Sequence, residues 1–191
     1  MSLDVNFALT DDDYTDSQIG LTSTRGSSMG ADFSAALSET TQLRLYAQSE
    51  HLRSSMAGSQ TFSLPDWTGR TDDEIGTFGL GVTHLAMKGK LELAGDLTTS
   101  RADTDTLIQQ GTIRSFFPTA RTSLDNLKLR AKWQQSAKLT WLGSFEYEHY
   151  DADDWHLDGI APGTVPNLLS LGEQAPNYNV TVIRVAVRYR F

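Results

Sequence analysis

The sequence contains no cysteine. That absence excludes a disulfide framework, a thiolate metal site, a cysteine nucleophile and a covalently attached c-type haem, which needs C-x-x-C-H. There is no apolar run near the roughly 18 residues of a membrane-crossing helix, and the mean hydropathy is −0.35. Positive charge is also scarce. Sixteen Lys and Arg face 24 Asp and Glu, net −8, which argues against an electrostatically driven nucleic-acid binder. None of this excludes a membrane, because a transmembrane β-barrel builds its apolar exterior from alternating residues with an ordinary average. What is present, 191 residues of which 39% are apolar, suffices for a folded chain. The stretch Met1-Ser2-Leu3-Asp4-Val5 has neither a basic n-region nor an apolar h-region, so no signal peptide is expected in it. The chain then reads as cytosolic or as a fragment, and pattern must decide between them.

The pattern has period 2. Thr181, Ile183, Val185, Val187, Tyr189 and Phe191 alternate with Val182, Arg184, Ala186, Arg188 and Arg190, which places β-branched and aromatic residues on one face of a strand. Leu139, Trp141, Gly143, Phe145 and Tyr147 alternate in the same way with Thr140, Leu142, Ser144, Glu146 and Glu148. Leu127, Leu129, Ala131 and Trp133 are interleaved with Asn126, Lys128, Arg130 and Lys132, and the short separation predicts a hairpin. Lower-contrast alternation recurs around Val5 to Leu9, Met29 to Leu37, Leu43 to Ala47, Phe78 to Ala86 and Leu91 to Leu97. Eight strands are expected.

Short connections near 38–42, 87–90 and 135–138 alternate with long ones near 11–16, 57–75, 103–120 and 151–176. Tight turns at one end and long loops at the other mark an outer-membrane barrel, with periplasmic turns and external loops. A soluble sandwich or lipocalin-like barrel would also alternate, with its apolar face inward. Three features favour the inverted arrangement: strands near ten residues, matching a tilted bilayer span; aromatics at strand ends (Trp133, Trp141, Tyr147, Tyr189, Phe191), where girdles sit; and an aromatic residue at the last position. The expected fold is all-β, an antiparallel up-and-down transmembrane β-barrel of about eight strands.

The four long connections hold 15 acidic residues against Arg70 and Arg114, net −13, leaving +5 elsewhere. Polar loops are ordinary; a docking face or a cation-rich surface is the functional reading. Catalytic signatures are missing. His51, His84, His149 and His156 are scattered without H-E-x-x-H, so no metal site is expected. Asp151-Ala-Asp-Asp-Trp155 opens like a calcium loop, but Trp155 stands where a ligand belongs. Gly76, Gly79 and Gly81 do not form G-x-G-x-x-G, and small residues facing a crowded interior explain them better.

The polar face remains. If it lines a lumen, Lys128, Arg130 and Lys132 on the sixth strand, Glu146 and Glu148 on the seventh, and Arg184, Arg188 and Arg190 on the eighth form charged bands. Opposite charges on adjacent strands can pair for roughly 0.2–1 kcal/mol each. The functional alternative is contact with a polar protein or ions inside the barrel.

The carboxyl-terminal part resembles the MtrB/PioB family of outer-membrane barrels, associated with decahaem c-type cytochromes. The residues that carry the resemblance are Leu124-Asp-Asn-Leu-Lys-Leu-Arg-Ala-Lys-Trp133, Phe145-Glu-Tyr-Glu-His-Tyr-Asp-Ala-Asp-Asp-Trp155, Asp158-Gly159, Val165-Pro-Asn-Leu-Leu-Ser-Leu-Gly-Glu173, Pro176-Asn-Tyr-Asn179 and Val185-Ala-Val-Arg-Tyr-Arg-Phe191. The match is specific over 120–191 and patternwise before that. It implies a barrel larger than eight strands, of which this chain is the carboxyl-terminal third or less. It also implies a function: a scaffold in the bacterial outer membrane that sheathes a periplasmic decahaem c-type cytochrome and docks an extracellular multihaem one, forming an electron conduit. The chain itself would bind no cofactor, haem residing in the partner cytochrome, and would have no catalytic residues. The rival expectation is a small self-closed eight-stranded barrel, porin-like or an adhesin. The discriminator is whether the first and last strands pair.

Overall fold

The computed structural model describes residues 1–61, 64–153 and 177–191. They form one antiparallel sheet: β1 (Ser2–Asp13), β2 (Gly20–Ser38), β3 (Thr41–Gly58), β4 (Trp67–Ala86), β5 (Leu91–Gln110), β6 (Ile113–Phe116), β7 (Ala120–Gln134), β8 (Leu139–Asp153) and β9 (Tyr178–Tyr189). The order is β1-β2-β3-β4-β5-β7-β8-β9, with the four-residue β6 folded back on β5. The wall therefore has eight strands, and β6 is a ninth that the alternation did not announce. Neither its apolar nor its polar residues recur often enough in four positions to set a period.

Register brings the apolar sets of all eight wall strands onto one face. A single row runs Leu3, Phe33, Leu45, Leu80, Leu97, Leu127, Tyr147 and Thr181 across the sheet, each residue directly opposite the next. A one-residue slip anywhere would drop that strand's apolar set onto the polar face. Nothing among the described residues covers this surface. Among the described residues the buried hydrophobics are only Ala35, Ala57 and Ala152, whereas Phe7, Ile183 and Val185 are 66%, 72% and 74% exposed. A soluble sandwich has to bury its apolar face against a second layer. Among the described residues there is no such layer, and the apolar face is turned outward.

The apolar band is slanted. Its last member toward the long connections is Leu9 on β1, but Leu127 on β7 and Tyr147 on β8 stand in the row of Leu3. The boundary thus drops six residues, about 20 Å, across six strand spacings, about 29 Å. That corresponds to strands tilted by about 35° from the normal of the band, inside the range of outer-membrane barrels. The three short turns lie at 39–40, 87–90 and 135–138, and Lys88 adopts φ 53° in the second of them. Trp133 lies opposite Trp141, and Leu139 opposite Tyr189, at that end of the band. They form an aromatic rim.

The strands run further than expected. β1 continues to Asp13 through the stretch 11–16, β4 starts at Trp67 within 57–75, β5 and β6 occupy much of 103–120, and β8 reaches Asp153. The rest of 151–176, with Trp155, His156, Asp158 and Glu173, lies outside the described residues. Above the apolar band the outer face turns charged, and cross-strand ion pairs take over from apolar contacts: Arg25 with Asp11 at 3.0 Å, Arg101 with Asp125 at 3.0 Å and Arg121 with Asp103 at 3.3 Å. Asp72 accepts from both Arg53 and Arg70. Ten of the 15 acidic residues counted as loop are therefore strand residues, and three of them, Asp11, Asp72 and Asp103, have arginine partners.

β1 bonds only to β2 and β9 only to β8. Among the described residues no ladder joins the first strand to the last, so the sheet is open along both sides.

Candidate functional site

The polar face collects on β7, β8 and β9 the eight charged residues singled out by the sequence. Lys128 stands opposite Glu146, with Nζ 3.4 Å from the carboxylate, and Arg184 approaches the same carboxylate diagonally at 3.7 Å. Glu146 thus sits between cations from both neighbouring strands. Among the described residues Glu148 makes no ion pair: it accepts from Asn126 Nδ2 at 3.2 Å and from the Tyr178 hydroxyl at 2.9 Å. The Tyr178 ring stacks on Tyr150 with centroids 5.3 Å apart.

Two of the lysine and arginine partners lie on β5, which the sequence reading had not connected to this group. Arg130 reaches Asp96 at 2.6 Å and Lys132 reaches Glu92 at 3.4 Å. Alternation showed that Glu92 and Asp96 share a face. Only the β5–β7 register, which sets Glu92 against Lys132 and Asp96 beside Arg130, shows what they pair with. Arg188 stands opposite Thr140 and, like Arg190, reaches no carboxylate among the described residues. The patch therefore holds Lys128, Arg130, Lys132, Arg184, Arg188 and Arg190 against Glu92, Asp96, Glu146 and Glu148, a surplus of two positive charges.

Between these side chains lies a cavity of about 410 Å3, walled by Glu92, Arg130, Lys132 and Arg184 and floored by Ala94 and Ser144. Its mouth is charged and its floor small. Such a site can hold anionic groups through guanidinium and ammonium donors, but it contains no nucleophile with an adjacent base.

A second group, on β2 to β5, had no counterpart in the sequence reading. Arg44 Nη2 binds Asp32 at 2.6 Å and its guanidinium carbon stands 5.4 Å from the centre of the Tyr46 ring. The Tyr46 hydroxyl bonds Thr98 Oγ1 at 2.7 Å. The ring crosses β4 over Gly79, where a Cβ would collide with it. Of the three glycines attributed to a crowded interior, Gly79 and Gly81 lie on this face. Gly76 faces the other way, opposite Ser49 and Arg101.

The family model described as "Putative outer membrane beta-barrel porin, MtrB/PioB" matches residues 1–191, so the match extends well beyond the carboxyl-terminal stretch. "Outer membrane protein MtrB" of Shewanella baltica (strain OS185) is 27% identical over 180 residues, which cover 94% of this chain and 26% of that protein. The chain thus spans about a quarter of the length of that relative. Among solved structures, "Copper transporter OprC" superposes with a TM-score of 0.69 at 12% identity, over 98% of this chain and 31% of that one. At that identity the likeness is one of fold: an antiparallel barrel wall.

Proposed function

Since the chain belongs to the MtrB/PioB family of outer-membrane β-barrel porins, we propose that it is wall of a wide barrel whose lumen encloses a multihaem c-type cytochrome, carrying electrons across the outer membrane. The observation that supports this most is the open sheet. Eight strands that close on themselves fill their interior with their own side chains. A wall of the same strand number with both sides unpaired suits a larger circumference and a lumen with room for a folded occupant.

The polar face suits such an occupant. Its cation surplus on β5 and β7 to β9 favours an acidic protein surface, and the small Ala94 and Ser144 leave space for close approach. In this reading the short turns are periplasmic, the long connections are external, and an extracellular multihaem cytochrome docks on the acidic external end. The wall contributes insulation and position. The redox chemistry belongs to the partners.

The test is purification of the protein from outer membranes under mild detergent, followed by haem staining and mass identification of what accompanies it. A stoichiometric multihaem cytochrome is expected. Recovery of an intact barrel without haem, from membranes whose other complexes survive, would count against it. A ladder between the first and last strands of the described wall would instead favour the small self-closed barrel.

A further inference from the structure

The outer face carries a depression that no role described so far uses. It has a volume of about 510 Å3, and its lining includes Val82, Leu93, Gly95, Leu129, Gly143 and Phe145, with His84 at its β4 edge. All of these lie on the outward apolar face, in two adjacent rows of the register. The floor is formed where Gly95 and Gly143 omit side chains.

Gly143 is not explained by the backbone or by its neighbours. It lies inside β8, has no positive φ, and a Cβ built on it would meet nothing within 4 Å. Gly58 and Gly79 differ, since an aromatic ring of this chain already occupies the space of their missing side chains. A glycine inside a strand weakens it and often marks close approach by another molecule. At Gly143 no part of the described chain makes that approach.

The surroundings define the occupant. The depression sits in the apolar band, where the solvent is hydrocarbon. The pair Ala131 and Gly143 is one row above the pair Trp133 and Trp141, and indoles take the headgroup level of a membrane. Immediately below, the turns joining β4 to β5 and β7 to β8 carry Lys88, Lys90 and Lys138. Apolar volume at the depth of the first methylenes, with three ammonium groups at the depth of a phosphate, matches one amphiphile.

We propose that this depression is a binding site for one acyl chain of an anionic phospholipid, whose phosphate lies against the Lys88, Lys90 and Lys138 turns. Bulk lipid gains nothing from burial against an apolar wall, so retention rests on packing and on the headgroup charge. The site is independent of what fills the lumen. It would be occupied equally if the barrel sheathed no cytochrome.

Native mass spectrometry of the protein extracted from outer membranes in mild detergent tests it. The wild type is expected to retain one phospholipid mass. Gly143→Phe, which fills the depression from its open side, is expected to lose that mass. Ala31→Phe, on the same outer face but on β2, is expected to keep it. Ala131→Leu fills the same space from the next strand and serves if Gly143→Phe fails to assemble, as judged by heat-modifiable gel migration. Combined Lys88→Gln, Lys90→Gln and Lys138→Gln should also release the lipid. Retention by both filled variants, no lipid on the wild type, or a second protein chain seated there in place of lipid would each overturn the proposal.

Discussion

Tyr46 and Gly79 occupy one another's space. The Tyr46 ring lies flat across the neighbouring strand at the position a Gly79 side chain would take, and its hydroxyl bonds Thr98 one strand further on at 2.7 Å. One side chain thus ties β3, β4 and β5 together on the polar face, and Arg44 stacks on it from the β2 side, held by Asp32.

Gly79→Val should lift that ring off the wall. The expected cost is about 1–3 kcal/mol, the range for forcing extra volume into a packed site, read from thermal or urea unfolding of the membrane-reconstituted barrel. Tyr46→Ala should be milder, and the double variant should recover part of the Gly79→Val loss. Additive losses would show that the ring and the glycine do not share the space.

The assignment of faces is tested by one charge placed on adjacent residues. Arginine in place of Phe145, on the outer face of β8, should cost about 2–4 kcal/mol near the bilayer midplane. Ser144→Arg points the same charge into the polar face and should be tolerated. Equal effects on assembly into outer membranes would contradict the assignment.

Glu146 stands between Lys128 and Arg184. These groups are partly exposed, so Glu146→Gln should change stability by no more than about 1 kcal/mol. It should act on the electrostatics instead. Removing one carboxylate raises the local cation surplus, so in planar-bilayer recordings the chloride to potassium permeability ratio should rise. Arg188→Gln should lower it. A ratio unmoved by both would place these residues off the ion path.

Asp72 lies six residues beyond Phe78, the last apolar residue of the β4 band, and so stands clear of the membrane-spanning part. Partial burial works to raise the pKa of its carboxyl, but the hydrogen bonds and charges of Arg53 and Arg70 outweigh it and hold the group below the ordinary carboxylate value. A lowered folded-state value means the stabilisation is full above the unfolded carboxylate pKa, near about 4, and is lost as pH falls through the folded value. Asp72→Asn should therefore unfold more easily than the wild type at neutral pH. The gap should close in strong acid, and pH-dependent urea unfolding of the two proteins measures it.

Alternation of Leu127 to Trp133 with Asn126 to Lys132, and its repeats, determined by itself that the chain is all-β, which residues share a face, and how many strands form the wall. That much is local, since side chains two apart on an extended backbone must lie together whatever the strand pairs with. The strand ends were not local. Past Leu9, Ala47 and Phe78 the outer face loses its apolar residues and resembles a loop, yet the ladder continues, because outside the hydrocarbon a β-strand needs only a bonded neighbour. Arg25 with Asp11 and Arg53 with Asp72 supply cross-strand contact in place of apolar packing.

Register was likewise decided only in three dimensions. It chose Glu92 for Lys132 and Asp96 for Arg130 across β5 and β7, laid Tyr46 over Gly79, and tilted the strands by about 35° from the normal of the apolar band. It also left β1 and β9 without a shared ladder. A sequence states which residues can face a neighbour, while pairing depends on which strand arrives beside them and at what offset. That offset is a property of the whole wall.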